Sequence, residues 1–302
     1  MHRNETAICI IADSNYIKYA AFLVHSLNKF NPLLSNIFIL TIGVTEKEFQ
    51  AEFNLDLAKQ IMVNMDEIEK MGVQPQGHVS IATYAKILIG DLIPNNFDRC
   101  LYLDVDILPL RSIRSLLEFP LHQDIAATQF ANGESKRLFG TDDATYFSAG
   151  LLLLDLDAWR TKKHGLALEN LLRQNPVLFQ GDNDLFNIFF REKWQVLPPS
   201  MNYMVEPLLN GHLIEASFNP MIIHFVGPRK PWTTKGRTSW HKIWRDQYEE
   251  FRPGQLSKAI SDGYFFYSFL RVVRNPALNS LKKFVPYQVK ESFRKFGEKS
   301  QN

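Results

Sequence analysis

The stretch CLYLDVDILPL, residues 100–110, decides the reading of this chain. Its apolar start reads as a buried strand over Arg99 to Val105, and it runs straight into Asp104-Val105-Asp106. Strand side chains alternate, so Asp104 and Asp106 fall on one side. Ligand sites in open α/β sheets lie at the carboxyl ends of strands. Two carboxylates there repel unless a cation or a basic group stands between them. Mg²⁺ or Mn²⁺, which favour oxygen ligands, would fill that place. The competing reading is a surface turn whose aspartates cap the following helix.

Outward from this stretch, strand and helix signals alternate. TAICIIAD (6–13) is a buried strand, followed by the helical stripe Ile17, Ala20, Ala21, Val24 and Leu27. NIFILTIG (36–43) is a second strand. Thr45 with Glu48 three residues on is a capping-box pattern that opens a helix expected to run to about Leu57. QIMVN (60–64) is a weak strand, and Ser80 to Leu92 is helical in pattern, stopping before Pro94. QDIAATQ (123–129) and YFSAGLLLLDL (146–156) are further strands. The alternation predicts βαβ units around an open sheet.

The 302 residues are 45% apolar and 22% charged, which excludes disordered, collagenous and coiled-coil chains. A net charge of +2 implies no nucleic-acid partner. That charge is uneven, at +6 beyond residue 262 and −4 before it. The predicted organisation is an α/β body over 1–262 and a basic, aromatic, helical tail over 263–302. Cys9 and Cys100 are too few for a disulfide framework and read as small buried hydrophobes of a reducing compartment. The apolar stretch from Ala7 to Ala12 is too short for a secretory signal, and no run reaches the ~20 residues of a membrane span. A cytoplasmic protein is expected.

Two other segments could join Asp104 and Asp106. In IIHFVGPRKPW (222–232), His224 ends an apolar strand and offers an imidazole for a borderline metal. Gly227 would let the backbone approach a phosphate, and Lys230 would supply a compact positive charge. In ADSNY (12–16), Asp13 and Asn15 could bind a base or ribose while Tyr16 stacks. The alternatives are a strand-end histidine with a packing tryptophan, and a helix cap with a buried tyrosine. GDNDLF (181–186) reads simply as a helix start with acidic first-turn residues.

Taken together and in order, these segments resemble glycosyltransferase family 8. The motifs are ADSNY, HVSIATYAKILIGDLIP (78–94), LYLDVDIL (101–108), YFSAGLLLLDLDAW (146–159), QGDNDLFN (180–187) and HFVGPRKPW (224–232). The likeness spans about Ala7 to Trp232 and is strongest to the bacterial branch that builds lipopolysaccharide or lipooligosaccharide cores. It implies a GT-A fold, a Rossmann-like open, mixed, mainly parallel sheet flanked by helices. It also implies a retaining, metal-dependent enzyme that moves galactose or glucose from a UDP-sugar to a glycan or glycolipid acceptor. By this resemblance Asp104, Asp106 and His224 would hold Mn²⁺ (or Mg²⁺). Ala12, Asp13, Asn15, Tyr16 and Val105 would hold the nucleotide, and Gly227 and Lys230 the phosphates. Lys86, Ser148, Asp182, Asn183 and Asp184 would line the sugar, and His78 would face the acceptor.

Three positions depart from the family pattern: Lys86 stands for Arg, Ser148 for Asn, and Asn183 for the Gln whose amide lies near the anomeric carbon. The shorter Asn183 puts sugar identity and rate in question, since misplacement by 1 Å near the chemistry costs ~10²-fold. The implied mechanism is attack from the leaving-group face, with the departing phosphate taking the acceptor's proton. A covalent adduct on Asp184 or Asp182 is the alternative. Basic aromatic segments lie on anionic membrane surfaces, so the tail predicts peripheral contact with the inner face of the membrane. The rival functions are a non-catalytic UDP-sugar-binding protein and a metal-dependent phosphohydrolase. No G-x-G-x-x-G follows the first strand, which disfavours an oxidoreductase.

Overall fold

The computed structural model describes residues 6–72, 81–130, 134–141, 145–175, 178, 180–205, 219–236 and 238–256. The chain forms two compact units, Met1–Pro228 and Arg229–Asn302. The predicted boundary at 262/263, the tail and His78 lie outside the described residues.

The first unit begins with β1 (Thr6–Asp13), α1 (Ile17–Phe30), β2 (Ile37–Ile42), α2 (Glu46–Glu52), β3 (Lys59–Val63) and α3 (Met65–Glu69). A 3₁₀ helix (Ile81–Leu88) leads into α4 (Ile89–Leu92), then β4 (Arg99–Leu103), β5 (Ile107–Pro109), α5 (Arg114–Leu117), β6 (Ile125–Gln129) and α6 (Glu134–Phe139). There follow β7 (Phe147–Asp155), α7 (Leu156–Thr161), α8 (His164–Gln174), α9 (Asp182–Phe189), β8 (Gln195–Val196), β9 (Tyr203–Met204) and β10 (Ile222–His224). The second unit contains α10 (Ser239–Phe251).

A seven-stranded sheet runs in the order β3-β2-β1-β4-β7-β6-β8. All its pairings are parallel except those of β7, which runs antiparallel to β4 and β6. The expected open, mixed, mainly parallel sheet is what forms. Its inner strands are apolar throughout because both faces are covered: every residue of β2 is buried, as is β7 up to Leu154. On one side α1 buries Ile17, Ala20, Ala21, Val24 and Leu27, the stripe read from the sequence. Cys9 and Cys100 are free thiols inside the core.

Several expectations change in detail. The capping box at Thr45 and Glu48 is present, but α2 stops at Glu52, not Leu57, because Phe53 turns extended and stacks on Phe49. Asn54 then closes a local turn by accepting from the backbone N–H of Asp56. The helical pattern before Pro94 is wound tightly as 3₁₀ up to Leu88. β4 ends at Leu103, so Asp104-Val105-Asp106 lies in the turn beyond the strand. A second sheet, β5-β10-β9, was not anticipated. Its antiparallel β5–β10 pairing sets His224 opposite Ile107, one residue beyond Asp106.

Candidate active site

The parallel strands β1 and β4 are neighbours, with Ile10 paired to Leu103. Their carboxyl ends therefore deliver Asp13-Ser14-Asn15-Tyr16 and Asp104-Val105-Asp106 to one edge of the sheet, where a crevice for ligands is expected. The small sheet brings His224 to the same place. The Phe225 N–H donates to the Asp106 carbonyl at 3.0 Å, and the Asp104 N–H donates to the Gly150 carbonyl at 2.8 Å.

His224 Nε2 lies 3.3 Å from Asp106 Oδ1 and 3.8 Å from Asp104 Oδ2. One ligand atom from each of the three residues falls within 4.8 Å of the others. Asp106 and His224 are 4% and 3% exposed, whereas the Asp104 side chain is 30% exposed, leaving one open side. Gly150 makes room for the cluster: a Cβ there would lie 2.3 Å from His224 Cε1 and 2.6 Å from Asp104 Oδ2. Two anionic oxygens and one imidazole nitrogen, converging on space that even a methyl group would invade, suit a divalent cation. The second Asp104 oxygen is already engaged. Oδ1 accepts from the Tyr102 hydroxyl and lies 3.3 Å from the Lys86 ammonium. Burial, reinforced by Asp104, pushes the Tyr102 pKa well above the usual value, so the phenol remains a donor.

Lys86 is the hub between this cluster and the acidic start of α9. Its ammonium is buried, donates to the Asp182 carboxylate and to the Ala149 carbonyl at 3.0 Å, and faces Asp104. Burial pulls the Lys86 pKa down, but Asp104 and Asp182 outweigh it and hold it above the ordinary lysine value. Burial pushes the Asp182 carboxyl up, with Lys86 pulling it back. The two directions compete for one short hydrogen bond, and we take Lys86 as the cation because it faces two carboxylates.

The D-N-D segment does open a helix, entered through Gly181 at φ 59°, and both aspartates are buried. Asp184 Oδ1 accepts from Arg137 at 2.5 Å and from the Tyr146 hydroxyl at 2.9 Å, and Oδ2 accepts from the Gln180 N–H at 3.0 Å. Asn183 turns its carbonyl to the Ala149 N–H at 2.8 Å. Ala149 is thus held from both sides, by Asn183 and by Lys86. Ser148 is buried beside it, and its hydroxyl lies 3.4 Å from the Gly150 N–H.

Asp13 Oδ1 accepts from the backbone N–H groups of Asn15 at 2.8 Å and Tyr16 at 3.2 Å, so it shapes the entry to α1. Ala12 is buried, Asn15 is exposed, and Tyr16 and Val105 are half-buried. Gly227 is exposed with φ +73°, a left-handed conformation that favours glycine. Lys230 belongs to the second unit, where its carbonyl accepts from Thr233. In that unit Arg245 donates to the carbonyls of Pro231, Thr233 and Gly236, and Trp232 packs on Trp244.

Sequence reasoning missed Tyr102, Arg137, Tyr146 and Asn202. Tyr102 was findable, being two residues before Asp104 and on its side of the strand. Asn202 Oδ1, an acceptor, lies 3.1 Å from His224 Nδ1 and comes from a loop with no motif of its own. Arg137 and Tyr146 meet Asp184 only through the tertiary fold.

The family model described as "Glycosyl transferase family 8" matches residues 7–236. Among curated proteins, General stress protein A of Bacillus subtilis (strain 168) is 27% identical over 67% of this chain and 71% of its own length. Lipopolysaccharide 1,3-galactosyltransferase of Salmonella typhimurium is 26% identical over 74% of this chain and 72% of its own length. Among solved structures, the galactosyltransferase LgtC in complex with donor and acceptor sugar analogs aligns with a TM-score of 0.69 at 22% identity. That alignment covers 85% of this chain and 100% of the other, and it shows a shared fold.

Proposed function

The chain belongs to glycosyl transferase family 8, and on that premise we propose that it moves a hexose, galactose or glucose, from a UDP-sugar to a glycan acceptor with retention of configuration. The observation that carries this reading is the convergence of Asp104, Asp106 and His224 beside the Asp13–Tyr16 turn. These three residues would hold Mn²⁺ or Mg²⁺. When bound, such an ion offsets charge that accumulates on a departing diphosphate. Asp13, Asn15 and Tyr16, with Ala12 and Val105, would take the uridine, and the backbone at Gly227 would approach the diphosphate. A lipopolysaccharide-type acceptor is suggested by the name of the Salmonella relative.

Lys86, Asp182, Asn183 and Ser148 would face the sugar. We assign Asp184 to holding the α9 start: it is 1% exposed and three donors already occupy its oxygens. A carboxylate so engaged is a poor nucleophile, which favours attack from the leaving-group face over a covalent adduct on it. The Asn183 carbonyl accepts from the Ala149 N–H, so its amide NH₂ would be the group that donates to a donor sugar. No helix among the described residues is long and apolar enough to cross a membrane. For the tail over 263–302 we propose contact with an anionic membrane surface, on its sequence alone. Truncation after about Arg252 should then abolish binding to anionic vesicles while sparing UDP affinity.

The test is UDP release from a panel of UDP-sugars, with Mn²⁺ or EDTA, by wild type and Asp106→Asn. Slow hydrolysis of one UDP-hexose, lost with EDTA and in the variant, is the expected result. UDP binding without turnover, even with lipooligosaccharide acceptors present, would favour a binding-only protein.

A further inference from the structure

We propose that Asn202 is a positioning residue for the cation centre: its side-chain carbonyl accepts the Nδ1 proton of His224, which leaves the Nε2 lone pair facing Asp104 and Asp106. The inference rests on the reading of Asp104, Asp106 and His224 as a cation site. It starts from a symmetry problem in the imidazole. Neutral histidine carries its proton on either nitrogen, and only one tautomer offers Nε2 as a ligand. The partner of the other nitrogen decides which form is present.

His224 Nδ1 lies 3.1 Å from Asn202 Oδ1, and both residues are almost wholly buried, at 3% and 1% exposure. Water is therefore a poor substitute partner. Its Nε2 meets only carboxylate oxygens in the cluster, at 3.3 and 3.8 Å. The backbone fixes this geometry. Asn202 immediately precedes β9, which pairs in parallel with β10 so that Met204 stands opposite His224. The Val205 N–H donates to the His224 carbonyl at 2.8 Å, and the Met221 N–H to the Ser200 carbonyl at 2.7 Å, bracketing Asn202 on both sides. The ligand thus sits on β10 and its orienting group just before the adjacent strand β9. Asp104 is treated alike, since the Tyr102 hydroxyl occupies Oδ1 and leaves Oδ2 toward His224.

Two measurements test this. Free Mn²⁺ followed by electron paramagnetic resonance gives the affinity of wild type, Asn202→Leu and Asn202→Asp. Loss of an orienting partner typically weakens metal binding ~10- to 100-fold. That loss is expected in Asn202→Leu, with recovery to within a few-fold in Asn202→Asp, which keeps an acceptor oxygen. Equal Mn²⁺ affinity in wild type and a folded Asn202→Leu would overturn the proposal. No Mn²⁺ binding by wild type would instead overturn the cation site itself. The second measurement needs no variant at position 202. Imidazole ¹⁵N shifts of the Mg²⁺-loaded wild type, with the His224 signals assigned by their loss in His224→Gln, report which nitrogen carries the proton. A proton on Nδ1 is expected, and a proton on Nε2 would overturn the proposal even if the protein binds Mn²⁺.

Discussion

Replacing Lys86 with methionine isolates the buried charge network on which the site is built. The Lys86 side chain is 1% exposed, and the ammonium bonds Asp182, whose side chain is 6% exposed, and faces Asp104 at 30%. Methionine fills much the same volume, so the change is chiefly the loss of a cation. Solvent screens the half-open Asp104, but Asp182 is left as an uncompensated buried carboxylate. Breaking a buried pair in this way costs about 3–5 kcal/mol. For a unit of this size each kcal/mol lowers Tm by about 2–4 °C, so Lys86→Met should melt ~6–20 °C below wild type. The double variant Lys86→Met/Asp182→Asn removes the stranded charge and should recover most of the loss. The pH dependence has a definite sign. Without its cation Asp182 has a folded pKa further above the unfolded value, so it weighs against folding more as pH rises. The deficit of Lys86→Met should therefore be largest near pH 8 and shrink toward pH 5. The assay is differential scanning calorimetry of wild type, both single variants and the double variant in EDTA. A Lys86→Met deficit below about 1 kcal/mol, or no rescue by Asp182→Asn, would mean that Lys86 does not offset a buried Asp182 charge.

Two further outcomes follow from groups away from the cluster. In the second unit His241 completes a capping box with Thr238 and meets the Arg229 carbonyl at 2.8 Å, and burial pulls its pKa down to about 4. Because the folded form holds this histidine neutral, its contribution is full above pH 6.5 and is lost by about 3 kcal/mol as pH falls toward 4. Urea titrations at pH 7 and 4.5 followed by tryptophan fluorescence, on wild type and His241→Gln, should show the variant with the flatter pH dependence. In the first unit Arg160 donates to the carbonyls of Gly90, Ile93 and Phe97, each at 2.8 Å, and so closes the end of α4. Arg160→Ala should cost about 2 kcal/mol in urea unfolding while leaving Mn²⁺ affinity unchanged.

The fold was legible wherever a local pattern carries its own physics. The apolar runs of β1, β2, β4 and β7 can only be strands covered on both faces, and the α1 stripe can only be a helix lying on a sheet. The capping box at Thr45 is a bond between neighbours and was read directly, whereas the end of α2 depends on how Phe49 and Phe53 pack. The sheet β5-β10-β9 was not legible because its strands are only two or three residues long and are defined by partners far along the chain. The candidate site divides in the same way. Asp104, Asp106 and His224 announce themselves as ligand types at strand ends, and the structure brings them together. The D-N-D segment starts a helix, as its acidic first turn suggests, and its aspartates are buried against Lys86, Arg137 and Tyr146. Which group pairs with which aspartate is a tertiary fact, invisible in the spacing.

By the function proposed above, Asp104, Asp106 and His224 hold a divalent cation through which the protein engages a nucleoside diphosphate. Isothermal titration of UDP into wild type and Asp106→Asn, with Mn²⁺ and with EDTA, tests it most directly. Wild type should bind UDP with Mn²⁺, and that binding should be lost in EDTA and in the variant with Mn²⁺ present. UDP binding of equal strength in all four conditions, or none in any, would contradict it.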